Sequence, residues 1–217
     1  MRRPTTAGRV AAAGVAIGWA LALAQQPDLT IKILGQRGKV RIAVPEFRGA
    51  GVSKEALEAF NSTLWNDLES SGVFEMVSKS FYPTEVPQRP EDFKPPVQPP
   101  PQPQRRLRPG EKPAPPPEPQ RQGPWLTDWS QPPVTGNVLT FGSTAVDNDR
   151  FALSGWLYDV TKPDTGAAHV FGKRYLSSHD VAGARKVAHE FTGDILQKLG
   201  AGPGIGGSRI YFVSNRT

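Results

Sequence analysis

The sequence has no cysteine in its 217 residues, and it has only three histidines and two methionines. The absence of cysteine excludes disulfides, thiolate metal sites and a cysteine nucleophile, so the core alone must stabilise the fold. His169, His179 and His189 form neither a His-Glu-x-x-His motif nor a pair four residues apart. The patterns typical of zinc sites are therefore missing, and solvated or capping roles are expected for the three histidines.

Other catalytic and cofactor motifs are also missing. Asp147-Asn148-Asp149 resembles the opening of a calcium loop, but the later Gly and Glu of an EF-hand are absent, which favours a hairpin turn. The glycine-rich run 202–207 lacks the Lys-Ser/Thr of a P-loop and follows a helical pattern, which favours a linker. Serines occur without a nucleophile elbow. We therefore predict a non-enzymatic protein with no catalytic, cofactor-binding or metal-binding residues.

Long hydrophobic runs are also rare, and the clearest one lies near the amino terminus. Arg2, Arg3 and Arg9 precede an apolar run from Val10 to Ala24 that ends in small residues. This pattern predicts a secretory signal peptide over 1–24, with Gln25 as the mature amino terminus and the periplasm as the destination. At about 15 residues the run is shorter than the roughly 20 of a membrane span, although an uncleaved anchor is the alternative. No membrane insertion is expected after cleavage.

The formal charge of +6 overstates the basicity of the mature chain. Removal of Arg2, Arg3 and Arg9 with the signal peptide lowers it to +3. No concentrated basic face is visible in the remaining sequence, so no nucleic-acid partner is predicted.

Proline, in contrast, is abundant in one place, since 18 of the 23 prolines lie between Pro83 and Pro133. Proline favours polyproline II, which has no internal hydrogen bonds, and the apolar content of this segment is low. We predict a disordered insert over 83–124. Its Pro-x-x-Pro runs are either an inert spacer or a ligand for an aromatic groove. Trp125 and Trp129, at its end, either cap the core or anchor a partner.

The flanks of the insert have the patterns of a folded domain, whose first half covers 25–82 and second half 125–207. In the first half, strands are predicted at 29–34, 40–44 and 73–77, with a helix after Ser53 that ends at Gly72. In the second half, three antiparallel strands are predicted at 137–146, 151–160 and 168–176, followed by a helix over 180–199. A last strand at 209–213 has nothing left to pair with, which suggests that 208–217 begins a further domain.

This order of elements predicts an α/β (α+β) fold with a mixed β-sheet, two helices on one face and a disordered proline-rich insert. Each helix has a single apolar stripe, which is why both are expected on the same face. The apolar stripe of the second helix consists of Val181, Ala184, Val187, Ala188, Phe191, Ile195 and Leu196.

Several segments resemble the amino-terminal domain of the TolB family, the periplasmic component of the Tol–Pal system. They are Ile42 to Phe47, Leu64 to Phe74, Asp128-Trp129 with Phe141-Gly142-Ser143, Phe151 to Asp159, and Ser208 to Ser214. The likeness covers 28–82 and 125–217. The chain departs from the family in its proline-rich insert and in the lack of a β-propeller after Thr217.

The resemblance implies a non-enzymatic periplasmic interaction module that supports outer-membrane integrity and constriction during cell division. It implies that the mature amino-terminal segment contacts a TolA-like inner-membrane protein by strand addition, and that Pal is a partner only if a propeller follows. The residues expected to bind the partner are Gln25, Gln26, Asp28, Leu29, Thr30, Ile31, Lys32 and Ile33.

Two other functions are alternatives to this module. The first is a periplasmic envelope-assembly adaptor that recruits partners through its proline-rich loop. The second is a hydrolase of envelope polymers, which needs titratable groups that converge in a pocket, and the sequence offers no such set.

Overall fold

The computed structural model describes residues 39–99 and 119–201. The predicted signal peptide (1–24), the predicted strand 29–34, the partner-binding residues 25–33, the middle of the insert (100–118) and the last strand (209–213) lie outside the described residues.

The described residues form a six-stranded mixed sheet with four helices, which confirms the predicted fold class. The main path runs β3-β1-β4-β5-β6, and β2 pairs with β4 in line with β1. The pairs β1–β3, β1–β4 and β2–β4 are parallel, whereas β4–β5 and β5–β6 are antiparallel. The strands are β1 (Val40–Ala43), β2 (Arg48–Ala50), β3 (Phe74–Met76), β4 (Val138–Asp147), β5 (Arg150–Asp159) and β6 (His169–Ser178).

The helices are α1 (Lys54–Ser70), α2 (Thr127–Ser130), α3 (Thr165–Ala168) and α4 (Val181–Lys198), with short 3₁₀ turns at Lys79–Phe81 and Pro90–Asp92. The predicted ends of the first long helix are confirmed. Ser53 caps it by accepting a hydrogen bond from the Ala56 N–H at 3.2 Å, and Gly72 ends it with φ of +68°. None of the helices in the described ranges is long and apolar enough to span a bilayer.

The two long helices cover one face of the sheet, as the single apolar stripe of each predicts. Phe60 of α1 and Phe191 of α4 both pack against Phe47, with ring centroids 5.2 and 6.0 Å apart. From β5, Phe151, Leu153 and Leu157 point into the same core. Val181 is an exception to the predicted stripe of α4, because it is 36% exposed. It is the first residue of the helix and lies beyond the edge of the packed surface.

The opposite face of the sheet is covered by irregular chain and by α2. Phe93 is buried, and its ring lies 5.3 Å from that of Phe141 and 5.5 Å from that of Tyr158. Trp129 is fully buried in the same cluster and Trp125 is partly buried there, which favours the core-capping alternative for both tryptophans.

The outer parts of the predicted disordered insert are therefore packed against the sheet, which corrects the boundaries 83–124. Val97 and Gln120 pair as an antiparallel bridge with N–O distances of 3.0 and 2.9 Å, and the Lys94 N–H donates to Pro124 O. The reason is local: Phe93 and the neighbouring Val86 supply apolar surface that the average composition of the segment conceals.

Two further differences from the sequence prediction concern short elements. The run Pro163-Asp164-Thr165-Gly166 has the composition of a simple turn, but Asp164 caps the short helix α3 by accepting from the Ala167 N–H at 2.9 Å. Strand β2 was not expected, because Gly49 is a poor strand former. The strand forms there because glycine has no side chain. A Cβ on Gly49 would collide with the backbone of Thr144, the residue with which it pairs.

Candidate functional site

The candidate site lies where β1 and β3 separate at their carboxyl ends. From this point the chain after β1 enters α1 on one face of the sheet, whereas the chain after β3 continues to the other face. Such a divergence opens a crevice, and in α/β proteins ligands commonly bind there. The hydroxyl of Tyr82 lies at the base of this opening, between Val44 and Val77.

A cleft of about 590 Å³ extends from this opening along α1. Its walls come from three separated segments: the loop after β1, the exposed side of α1, and the 3₁₀ turn after β3. Asn61 fixes the loop to the helix, because its side-chain amide accepts from the Phe47 N–H at 2.9 Å and donates to Phe47 O at 3.1 Å. The lining residues are Glu46, Glu58, Asn61, Ser62, Trp65, Asn66 and Lys79.

Lys79 organises the charge and the aromatic surface of this cleft. Its ammonium group lies 3.2 Å from Glu46 Oε1 and 4.9 Å from the centroid of the Trp65 ring. Phe81, two residues further on, is 48% exposed. A partly exposed tryptophan beside a lysine and a carboxylate is typical of protein-binding surfaces, where aromatic anchors are surrounded by polar groups.

The titratable groups elsewhere form pairs rather than a convergent set. His189 Nδ1 lies 2.6 Å from Asp67 Oδ2 and joins α4 to α1. Asp194 accepts hydrogen bonds from Lys173 Nζ and from the Tyr175 hydroxyl, both at 2.6 Å. Burial, followed by the hydrogen bond to Asp194, raises the pKa of the Tyr175 hydroxyl above its ordinary range. The first pair joins the two long helices, and the contacts of Asp194 join α4 to β6, which are structural roles.

The metal chemistry considered from the sequence has no counterpart in residues 39–99 and 119–201. Within those ranges no three His, Asp or Glu side chains lie close enough together to hold a metal ion. Asn148 and Asp149, in the predicted calcium-like motif, adopt φ of +48° and +57°. They form the turn of the β4–β5 hairpin, which is the interpretation that the sequence favoured.

The residues predicted to bind a partner, Gln25 to Ile33, lie outside the described residues, so their prediction stands as made. The cleft was missed because its residues are far apart in the sequence and each one alone resembles a solvated side chain. The one signal that could have found it is Trp65, a tryptophan at a position that the apolar stripe of α1 does not require.

No family model matches the sequence, and no curated protein matches it either. Among solved structures, the chain is similar to TolB from Acinetobacter baumannii, with 17% identity and a TM-score of 0.46. That match covers 77% of this chain and 30% of the TolB chain, so this chain spans less than a third of the protein it matches. It is also similar to a PelC dodecamer subunit from Paraburkholderia phytofirmans, with 13% identity, a TM-score of 0.36, and coverage of 76% and 89%. Neither likeness establishes a family for this chain.

Proposed function

We propose that this chain is a non-enzymatic periplasmic interaction module of the Tol–Pal type, which supports outer-membrane integrity and constriction during cell division. Its amino-terminal segment, Gln25 to Ile33, binds a TolA-like inner-membrane protein. The proposal combines the export signal and the TolB-like segments of the sequence with the binding character of the surface described above.

One observation carries this proposal. Two of the segments that resemble the TolB family, Ile42 to Phe47 and Leu64 to Phe74, meet at the cleft and contribute Glu46 and Trp65 to it. The segments that resemble the TolB family thus contain residues of one shared surface as well as residues of the core. The surface presents an aromatic ring, an ion pair and amide groups, which suits it to contacts with another protein.

The test is a binding measurement with the purified mature protein, residues 25–217, and the periplasmic domain of a TolA-like protein from the same organism. Isothermal titration calorimetry is expected to detect binding to the intact chain and no binding after deletion of residues 25–33. A deletion of residues 100–118 is the matched control and is expected to retain full affinity. Binding that survives loss of 25–33 contradicts the proposal.

The control deletion is restricted to 100–118 for a structural reason. A deletion of the whole predicted insert removes Phe93, which fills the core on the second sheet face, and it also removes the Val97–Gln120 bridge. If such a variant failed to bind, the cause could be unfolding of the domain or the loss of a contact with the partner, and the experiment would not separate the two.

A second candidate function is an envelope-assembly adaptor that recruits partners through the proline-rich segment. The observation that favours it is the Val97–Gln120 bridge, which holds the two ends of this segment together against the domain. The adaptor predicts the opposite result in the binding experiment: deletion of 100–118 abolishes partner capture and deletion of 25–33 leaves it intact.

Binding to Pal is expected only if the native protein continues into a propeller. The intact mass of the native protein, captured with an antibody to the mature amino-terminal region, tests this. A mass about twice that of this chain predicts Pal binding, whereas a mass equal to that of residues 25–217 predicts none.

A further inference from the structure

Lys79 fills the cleft beside α1 as a cation from another molecule would. Its ammonium group contacts Glu46 Oε1 at 3.2 Å and lies 4.9 Å from the centroid of the Trp65 ring. A carboxylate attracts a cation by its charge, and the face of an indole ring attracts it through the ring quadrupole. Glu46 and Trp65 therefore form a site for a positive charge, and a side chain of the same molecule occupies it.

The contact between Lys79 and this site is easily exchanged. The side chains of Lys79 and Glu46 are 43% and 66% exposed, so water and salt screen their attraction. A lysine side chain also loses rotamer freedom when its ammonium group is held in one place. Another cation can therefore replace Lys79 at little cost in free energy, because the lysine then returns to solvent.

The charge of the cleft favours a cationic ligand over an anionic one. Among the described residues that line it, the charged ones are Glu46, Glu58 and Lys79. Lys54 lies 3.6 Å from Glu58 Oε1, but its side chain is 83% exposed and is not part of the lining. Once Lys79 has left the site, the two carboxylates give the cleft a negative charge.

An arginine side chain fits this site better than a lysine does. Its planar guanidinium can stack on the Trp65 ring and present two N–H groups to Glu46, whereas an ammonium group is a compact point charge. The cleft has a volume of about 590 Å³, which is more than one guanidinium requires. The side-chain amide of Asn66 lines it as well, and an amide both donates to and accepts from the backbone of a bound segment.

We propose that this cleft binds an arginine side chain of a partner protein, which displaces Lys79 from Trp65 and pairs with Glu46. The inference rests on the proposed function in one respect, since it takes the cleft as a protein-binding surface, and it adds the chemistry of the partner at that surface. Lys79 is an internal competitor, which covers the indole ring and neutralises Glu46 until the arginine binds. The affinity is therefore set by how much better the arginine fits than Lys79 does.

The test uses the mature chain, residues 25–217, labelled with nitrogen-15 and titrated with the peptide acetyl-Gly-Gly-Arg-Gly-Gly-amide. The indole N–H signal of Trp65, identified by its absence in Trp65→Phe, reports occupation of the cleft. The arginine peptide is expected to shift this signal until it saturates. A peptide with lysine in place of arginine is expected to bind at least three times more weakly, and one with glutamine is expected to cause no shift. No shift with any peptide, or an equal shift with the glutamine peptide, overturns the proposal.

Lys79→Ala distinguishes an internal competitor from a side chain that itself holds the ligand. Loss of the competitor is expected to tighten binding of the arginine peptide at least threefold, because the ring and the carboxylate are then uncovered. Lys186→Ala in α4 is the matched control, since Lys186 is also exposed and lies 3.9 Å from Glu190 Oε1, and unchanged binding is expected. Weaker or unchanged binding in Lys79→Ala, or the same gain in both variants, overturns the proposal.

Glu46→Gln tests the carboxylate of the site. The arginine peptide is expected to bind at least fivefold more weakly, because the charge-assisted hydrogen bonds are lost. Glu190→Gln, which removes an exposed ion-paired carboxylate of α4, is expected to leave binding unchanged, and equal losses in the two variants overturn the proposal.

These titrations are independent of the test of the proposed function. They include no TolA-like protein, and residues 25–33 are present in every sample. A failure of the peptide to bind therefore leaves the calorimetric result on residues 25–33 intact, and a failure of that experiment leaves the titrations intact.

Discussion

The hydroxyl of Tyr82 accepts a hydrogen bond from the backbone N–H of Val44 at 2.9 Å. The same hydroxyl donates to the carbonyl oxygen of Val77 at 2.8 Å. Val44 follows β1 and Val77 follows β3, so one side chain replaces the ladder hydrogen bonds at the point where the two strands part. The opening of the cleft is therefore held by a side chain from outside the sheet.

Replacement of Tyr82 by phenylalanine is expected to reduce the free energy of unfolding by about 1–3 kcal/mol, because a backbone N–H and a C=O lose their partner. Urea denaturation followed by circular dichroism measures the change. Tyr158→Phe is the matched control, since the described residues give no hydrogen bond to the Tyr158 hydroxyl, and a loss of about 0.5 kcal/mol or less is expected there. Equal losses in both variants contradict the role assigned to Tyr82.

Alkaline pH is expected to destabilise the domain partly through the same residue. Burial raises the pKa of the Tyr82 hydroxyl from 10.0 to about 12, and the hydrogen bond from Val44 offsets this in part. Because the pKa of Tyr82 is higher in the folded state than in the unfolded state, its neutral hydroxyl stabilises the fold fully below pH 10. This stabilisation is lost as the pH rises toward 12.

Tyr158 and Tyr175 have raised pKa values as well, so the wild-type fall in stability is shared. Denaturation curves across this pH range are expected to show a shallower fall for Tyr82→Phe than for the wild type. An identical slope in the two proteins contradicts the prediction.

Gly155→Ala is expected to destabilise the domain by about 1–3 kcal/mol, because it overpacks the first core. A Cβ at this position lies 2.8 Å from Cζ of Phe191, whose ring is fully buried. Gly193→Ala in α4 is the matched control. Nothing lies within 4 Å of its Cβ position, and a helical alanine in place of glycine is expected to stabilise by about 0.5–1 kcal/mol. Thermal unfolding of the two variants should therefore shift in opposite directions.

Phe93→Ala tests whether the outer part of the proline-rich insert belongs to the folded domain. Removal of this buried ring is expected to cost about 3–5 kcal/mol, since Phe141 and Tyr158 lose a packing partner. Val97→Ala, four residues further on, is the control, because Val97 is 46% exposed and a change within about 0.5 kcal/mol is expected. A Phe93→Ala variant as stable as the control indicates that the segment does not pack.

Local signals in the sequence predicted most of the elements. The cap at Ser53 and the stop at Gly72 bounded α1, and the Asp147–Asp149 turn predicted the β4–β5 hairpin. These predictions succeeded because each depends on hydrogen bonds or backbone angles within a few residues.

The failures have the opposite origin, since they depend on residues that are distant in the chain. Phe93 is buried by Phe141 and Tyr158, which no pattern within the proline-rich segment reveals. The cleft combines Glu46, Trp65 and Lys79 from three segments, and only the divergence of β1 and β3 brings them together.

The position of β1 inside the sheet, between β3 and β4, has a consequence for the order in which the sheet forms during synthesis. This strand is among the first parts of the domain to be made, yet Val40 pairs with Phe74 and Ile42 pairs with Val138, so its second partner is translated much later. Contacts between such distant residues require closure of large loops before they contribute free energy, and they slow folding. The pairing of β1 with β4 therefore cannot form until the residues up to Leu139 have been made, so the sheet is completed late in synthesis.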